Sequence, residues 1–533
     1  MKGESPLRLI YTADPARGQT VSSLTARGTT ANKRNHESWF TAVARPAGGR
    51  AEAGSDQLSE LPASQPVRVT MTVHAARYFN QELETLSEAG LRRMQDRLLR
   101  EALLGVAGNG FFGDFYRERH ADPLAVRGVS DLNRLPIVRK ADILRDASAT
   151  PPYGRRLGVP PSAIVNIVES SGTSAAGKEV QALSTADFQA VLASEQVGFV
   201  WSGAGEGTVV ALHTPVTMTA AGHWWMLALH GLGCNTLRLG GMSTEQRLSY
   251  MKRYGVEQMM IGSHYLQRMT YLADIYGYEP RRDFEKLRII FVGGGGWSTE
   301  TAERWADEWD VVLHEQYGSS QRCIAWTCER GVLDEGRRGV IHFLPHYYIA
   351  EVVDPSSGEQ VEEGEEGEIV LTLLGERATP LVRFGTGDRA IYRAGGSCSC
   401  GRAFAGIEAG SLGRFDDMLR VRDRNLWPDE VDRLVLERKG VLDYEAATWM
   451  DDQAQVRLSM RVKVQPGTLP RVAQLSDELV ADLREATGLR FEVSCETVGS
   501  ELDHPDKNDG KPRRWSDLRS TPGERPGWVD GGL

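Results

Sequence analysis

Short apolar runs broken by polar turns fill the middle of this chain. The first, Ala163-Ile-Val-Asn-Ile-Val168, is brief and rich in β-branched residues, which predicts a buried strand. Further runs at 208–212, 235–239, 258–261, 288–292 and 311–313 read the same way. Helical spacing lies between them. Residues 243–254 open with Ser243 and Gln246 placed as a capping box, and Leu91, Met94, Leu98 and Ala102 share one face of a helix starting near Gln81. Strands alternating with helices predict α/β layering around a largely parallel sheet, whose ligands sit at the carboxyl ends of the strands. Between Glu351 and Asp388 the pattern becomes turn-bounded and alternating, so 350–353 and 368–372 are expected to be antiparallel. A small α+β unit with a strand at 456–464 follows, then a polar end containing Asp509-Gly-Lys-Pro512.

Composition narrows the class. A chain of 533 residues exceeds what one core usually supports, so more than one domain is expected. Residues 1–70 lack sustained periodicity and read as a poorly ordered extension, with Met71 a candidate start. The predicted division is 1–70, a large unit over 71–413 and a smaller one over 414–533. A net charge of −10 argues against a nucleic-acid partner. No uninterrupted apolar run reaches the roughly 18 residues of a membrane span, and no secretory signal is evident. With six cysteines in so long a chain, a disulfide scaffold is not expected, and a cytoplasmic location is.

The candidate chemistry lies just past predicted strand ends. Glu169-Ser-Ser-Gly-Thr-Ser-Ala-Ala-Gly-Lys178 has what a polyphosphate needs: glycines that let backbone N–H groups approach, hydroxyl donors, and a lysine. Its Gly172–Lys178 spacing fits a Walker loop, but Glu179 stands where Ser or Thr should hold Mg²⁺. A carboxylate beside the phosphates is expected to repel them, which disfavours a Walker-type ATPase. Gly293-Gly-Gly-Gly296 and Tyr317-Gly-Ser-Ser-Gln321 are two more glycine- or hydroxyl-rich turns in equivalent places.

The order of motifs resembles the adenylate-forming superfamily, and within it the phenylacetate–CoA ligases. The matching stretches are Ser170-Ser-Gly-Thr173 with Gly177-Lys178, Tyr317-Gly-Ser-Ser320, Arg383-Phe-Gly-Thr-Gly-Asp388, Gly413-Arg-Phe-Asp-Asp-Met418 and Gly510-Lys511. Asp131-Leu-Asn-Arg-Leu-Pro-Ile137 and Cys398-Ser-Cys-Gly-Arg402 point to the phenylacetate type. The resemblance implies a large adenylate-forming domain with layered sheets and helices, plus a small mobile C-terminal α+β lid. It implies two half-reactions: a carboxylate attacks the α-phosphate of ATP, giving an acyl-adenylate and pyrophosphate, and a nucleophile then displaces AMP.

By this resemblance Ser171, Thr173 and Lys178 cradle the β- and γ-phosphates, with Ser170 and Gly172 in the same nucleotide-binding loop. Gly294, Gly295, Gly296 and Tyr317 border adenine, Ser320 lies near the α-phosphate, Gly318 and Ser319 belong to the same nucleotide-binding turn, and Asp388 accepts from the ribose hydroxyls. Lys511 bridges carboxylate and α-phosphate, Arg414 contacts the nucleotide, and Asp416 is the hinge of the lid. Gln321 replaces the usual Mg²⁺-binding acid with a neutral oxygen ligand, so weaker metal binding is expected. Asp423 replaces a glycine that lies against the pantetheine arm in CoA ligases. CoA therefore competes as acceptor with an amine, a hydroxyl or a carrier-protein thiol, giving a CoA-independent amide or ester synthetase or a carrier-loading enzyme. A non-catalytic nucleotide-binding zinc protein is the alternative from another class. His223, Trp224, His264 and Tyr265 occupy acyl-pocket places and suit an aromatic acid. Cys328, His342, Cys398 and Cys400 are expected as a structural zinc site. The expected partners are thus small molecules, with no nucleic acid and no membrane, and a homodimer is left open.

Overall fold

The computed structural model describes residues 77–170, 178–293, 296–319, 322–334, 336–415, 418–421, 424–451, 453, 455–499, 514–519 and 524–529. The layered α/β expectation holds. Strands β3 (Val209–Leu212), β4 (Asn235–Arg238), β5 (Gln258–Gly262), β6 (Ile289–Gly293) and β7 (Val312–Gly318) lie parallel in the spatial order β4-β3-β5-β6-β7. The central strands β5 and β6 are buried on both faces, while the edge strand β4 is not. A sheet covered on both sides by crossover helices requires that pattern.

At β7 the sheet changes direction. Strand β8 (Cys323–Thr327) pairs with it antiparallel, and the sheet continues through Val340–Phe343, Gly406–Glu408, Phe384–Arg393, Glu366–Leu373 and Tyr348–Val353. The alternating stretch read from the sequence is this antiparallel half.

Two expectations are corrected. The run at 163–168 does form a strand, β1 (Ile164–Glu169), but it is not a buried member of the large sheet. It pairs antiparallel with β2 (Val180–Ser184) in a separate two-stranded hairpin, leaving Val165 and Ile167 exposed. The β-branched run signalled the strand correctly; its second apolar face simply has no neighbour. The early helix is α1 (Glu88–Ala107), capped by the Ser87 hydroxyl accepting from the Gly90 N–H. Its buried stripe is Leu91, Leu99, Leu103 and Val106, rotated from the predicted one, so Met94, Leu98 and Ala102 are only half-buried.

Helix α2 (Thr185–Trp201) leads from the hairpin into β3, and α3 (Ala220–Gly231), α4 (Thr244–Tyr254), α5 (Ser263–Ile275) and α6 (Thr299–Trp309) connect the parallel strands. The predicted capping box of α4 forms: the Gln246 N–H donates to the Ser243 hydroxyl, and the Ser243 N–H donates to the Gln246 amide oxygen.

A second hydrophobic core follows in sequence, built from Val421, Leu426, Val431, Val435, Tyr444, Met460 and Leu479 among others. Its sheet has the order Glu492–Thr497, Val456–Val464, Val441–Met450, Trp515–Asp517, with helices Pro428–Leu436 and Val472–Thr487 packed on it. On the latter helix Leu475, Leu479 and Leu483 recur every four residues and are buried, each contributing roughly 1.5–3 kcal/mol. Gly488 ends that helix at φ 68°, a left-handed conformation that glycine adopts without a Cβ clash.

Candidate active site

The β7–β8 reversal places Tyr317 beside the antiparallel half of the sheet. Its hydroxyl donates to Asp388 Oδ2 at 2.8 Å, and Arg414 lies 3.3 Å from Asp388 Oδ1. Asp388 and Arg414 are direct cross-strand partners, so their side chains share one face. The Asp388 N–H in turn donates to Thr386 Oγ1. Three residues from three sequence motifs thus meet at one carboxylate. Burial, and then the Asp388 charge, push the Tyr317 hydroxyl well above its ordinary range, so it stays a proton donor.

The strand carrying Asp388 is anchored by strain held in place. Arg383 has φ 47°, unfavourable for a residue with a Cβ. Its guanidinium donates to Glu351, to the carbonyls of Asn133 and Leu135, and to that of Gly358. This is why the 131–137 stretch and the 383–388 motif belong together: the first supplies acceptors for the second.

Gly296 packs closely on the loop before Arg414, where an added Cβ would come within 3.0 Å of the Leu412 carbonyl. Glu315, on β7, accepts from the Gly410 N–H at 2.7 Å. Burial raises the Glu315 carboxyl to about 8. An added Cβ on Gly318 would crowd the Gln316 amide, and the Ser319 N–H donates to the Arg322 carbonyl in a tight turn.

At the hairpin, Ser170 is buried and closes the stem: its N–H donates to the Glu179 carbonyl and its hydroxyl accepts from the Glu179 N–H at 2.8 Å. Lys178 is exposed and lies 3.4 Å from Glu169. The Glu179 expectation is corrected. Its carboxylate turns inward, 1% exposed, accepting from Gln181 and pairing with the buried Arg156 at 3.5 Å. It offers phosphates no repulsion, and only the missing Ser or Thr argues against a Walker loop. Arg156, absent from the sequence reading, has no local motif to announce it.

The residues read as an acid pocket divide. His223 and Trp224 both bond Asn166 of β1, at 3.2 Å each, and tie α3 to the hairpin. Trp224 is wholly buried with Val168, Leu183, Val191 and Ala220. Tyr265 is buried too, its hydroxyl 2.9 Å from Thr244 and its ring 4.7 Å beneath the Arg247 guanidinium. His264 stands at the carboxyl end of β5, so close to Gly262 that an added Cβ there would lie 2.7 Å from the imidazole. Ser171, Gly172, Thr173, Gly294, Gly295, Ser320, Gln321, Asp416, Asp423 and Lys511 lie outside the described residues, as does the 1–70 extension.

A second cluster forms away from these motifs. Cys328, His342, Cys398 and Cys400 are all buried, with their donor atoms within 4.8 Å of one another. Cys328 and Cys398 sulfurs are 3.7 Å apart, and Cys400 Sγ is 3.5 Å from His342 Nε2. His342 Nδ1 faces the Phe404 carbonyl at 3.1 Å, which fixes the ring with Nε2 toward the sulfurs.

The family model described as AMP-binding enzyme matches residues 119–373. Over that stretch the chain is similar to the adenylate-forming enzymes, and its relatives indicate an AMP-forming ligase. It is 29% identical to the phenylacetate–coenzyme A ligase of Thermus thermophilus, over 83% of this chain and 99% of that one. It is 26% identical to the Pseudomonas putida phenylacetate–coenzyme A ligase, over 78% and 93%. Its fold matches a 2-hydroxyisobutyryl-CoA ligase solved in the postadenylation state with 2-HIB-AMP, at TM-score 0.73 and 20% identity, covering 84% of this chain and 94% of that one. The structure places Asp388 and Arg414 beside Tyr317, at the carboxyl end of β7.

Proposed function

We propose that this ligase adenylates an aromatic carboxylic acid with ATP and passes the acyl group to a small-molecule nucleophile, CoA being the leading acceptor. The observation that carries the reading is the meeting of Tyr317, Asp388 and Arg414. A carboxylate with two lone-pair oxygens suits a vicinal diol such as ribose, and the flanking arginine suits phosphate charge. Attack of the acid on the α-phosphate concentrates negative charge there, and fixed cations and N–H donors lower that barrier more than any covalent step would. Lys511, by its motif, supplies the mobile cation, Asp416 the hinge, and Ser171, Thr173 and Lys178 the phosphate contacts. Mg²⁺ accompanies the nucleotide. His223 and His264 border the space for the acid, with Trp224 and Tyr265 behind them. No described helix is long and apolar enough to cross a membrane, and a cytoplasmic enzyme fits that.

The test is acid-dependent exchange of labelled pyrophosphate into ATP across a panel of aryl acids. Exchange with at least one acid is expected; none, from folded protein, overturns the reading and favours a nucleotide-binding protein without catalysis. Adding CoA to the accumulated adenylate should release a thioester, and its absence would move the acceptor to an amine, hydroxyl or carrier thiol.

The Cys328–His342–Cys398–Cys400 cluster supports a structural zinc. Its 3.5 and 3.7 Å separations match the edges of a tetrahedron whose donors stand roughly 2.0–2.3 Å from the ion. Metal analysis should return about one zinc per chain, held against dialysis. Protein that is metal-free yet unchanged in thermal stability would refute the assignment.

A further inference from the structure

The junction between the two hydrophobic cores contains one carboxylate shared by two arginines. Asp443, on the strand Val441–Met450, takes Arg268 on Oδ2 at 2.9 Å and Arg514 on Oδ1 at 2.6 Å. The three side chains are 10, 5 and 11% exposed. Arg268 belongs to α5, one helical turn after His264 at the acid side of the site. Arg514 belongs to the C-terminal core, where its carbonyl accepts from the Ala446 N–H, and it stands three positions after Lys511 in sequence. Around this point the Gln267 amide donates to the Leu436 and Val441 carbonyls and the Tyr271 hydroxyl to the Val498 carbonyl, while Glu437 accepts from the Ser298 N–H on its carboxylate and from Arg304 on its carbonyl. Arg389 and Asp429 form another ion pair across the junction, nearer Arg414, with a more exposed carboxylate.

We propose that Arg268 is a positioning residue for adenylation: through Asp443 and Arg514 it docks the C-terminal core in the pose that serves the first half-reaction. The geometry separates two functions of one carboxylate. Oδ1 is spent inside the C-terminal core on Arg514, and Oδ2 reaches out to α5. Removing Arg268 leaves Asp443 paired with Arg514, so the C-terminal core keeps its internal ion pair and loses its contact with α5. A buried carboxylate stripped of every partner would instead destabilise the fold itself. The inference rests on the proposed two-step reaction. The first step calls on the cation of Lys511, the second on access of a nucleophile to the acyl carbon, so a loosened dock weakens the first more.

The experiment uses the full chain as Arg268→Met and Arg268→Lys. Pyrophosphate exchange is measured with an acid the wild type adenylates, and acyl transfer is measured separately from the isolated acyl-adenylate. Exchange by Arg268→Met is expected to fall on the order of 30-fold, transfer less than about threefold, with Arg268→Lys recovering most of the loss. Amide hydrogen exchange should quicken at 436–445 and stay unchanged at 456–464. Equal losses in both half-reactions, or no loss in either, would overturn the proposal whatever the amides do. If the wild type exchanges no pyrophosphate with any acid, the two-step reading itself fails. Quickened amides at 436–445 then keep Arg268 as a dock, and unchanged amides remove even that.

Discussion

Two groups of residues at the carboxyl edge of the sheet behave oppositely. Tyr317, Asp388 and Arg414 come from three separated motifs and converge on one half-buried carboxylate. Trp224 and Tyr265 come from equally suggestive motifs and sink into hydrophobic cores, with polar tips satisfied by Asn166 and Thr244. The difference is physical. Bringing a carboxylate, a phenol and a guanidinium together costs desolvation that packing alone does not repay, which supports the proposed nucleotide site there. An aromatic ring beside a strand end gains free energy by burial wherever it lands, so its presence signals little.

The sharpest way to break this contrast is Trp224→Ala. A fully buried indole removed from a small core should lower stability by about 3–5 kcal/mol, read by denaturant unfolding. The conservative Trp224→Phe should keep the acid preference of the wild type. A changed preference with unchanged stability would make Trp224 a substrate contact and erase the distinction.

Next in size is Asp388→Asn. The amide keeps the shape but removes the charge that faces Tyr317 and Arg414, so kcat/KM for adenylation should fall on the order of 10²–10³-fold while the melting temperature moves little. Tyr317→Phe deletes one hydrogen bond to that carboxylate and should cost roughly tenfold. If the two losses simply add in the double variant, the pair acts independently; a shortfall from additivity shows one coupled unit.

The sequence made the central parallel strands legible because buried strands leave short apolar runs, and the α4 cap legible because its two partners lie three residues apart. The four Cys and His residues were also readable, being rare residue types that stand out in any sequence. What stayed hidden depends on distance along the chain. The inward turn of Glu179 needs Arg156, 23 positions earlier, and the Arg268–Asp443 pair spans 175 positions. No local pattern encodes either. The exposed face of β1 was hidden for another reason: an apolar run reports strand tendency but not whether a second layer arrives to cover it.

The smallest expected effect extends the comparison to carboxyl groups behind the site. Glu195 on α2 is buried beside Cys323, and burial raises its carboxyl to about 8. Asp388, by contrast, has an arginine against it. A group whose folded pKa is raised holds its proton in the folded chain between its ordinary value and about 8, where the unfolded chain has lost it. Its contribution is therefore full below the ordinary carboxyl range and is lost as pH climbs toward 8, at no more than about 1.4 kcal/mol per pH unit. Glu195→Gln carries the neutral form at every pH. Its unfolding free energy should decline less than that of the wild type between pH 5 and 8, and the two curves should run parallel above pH 9. Parallel curves across pH 5 to 8 would mean that Glu195 is ionised inside the fold, with a cation near it that burial alone does not explain.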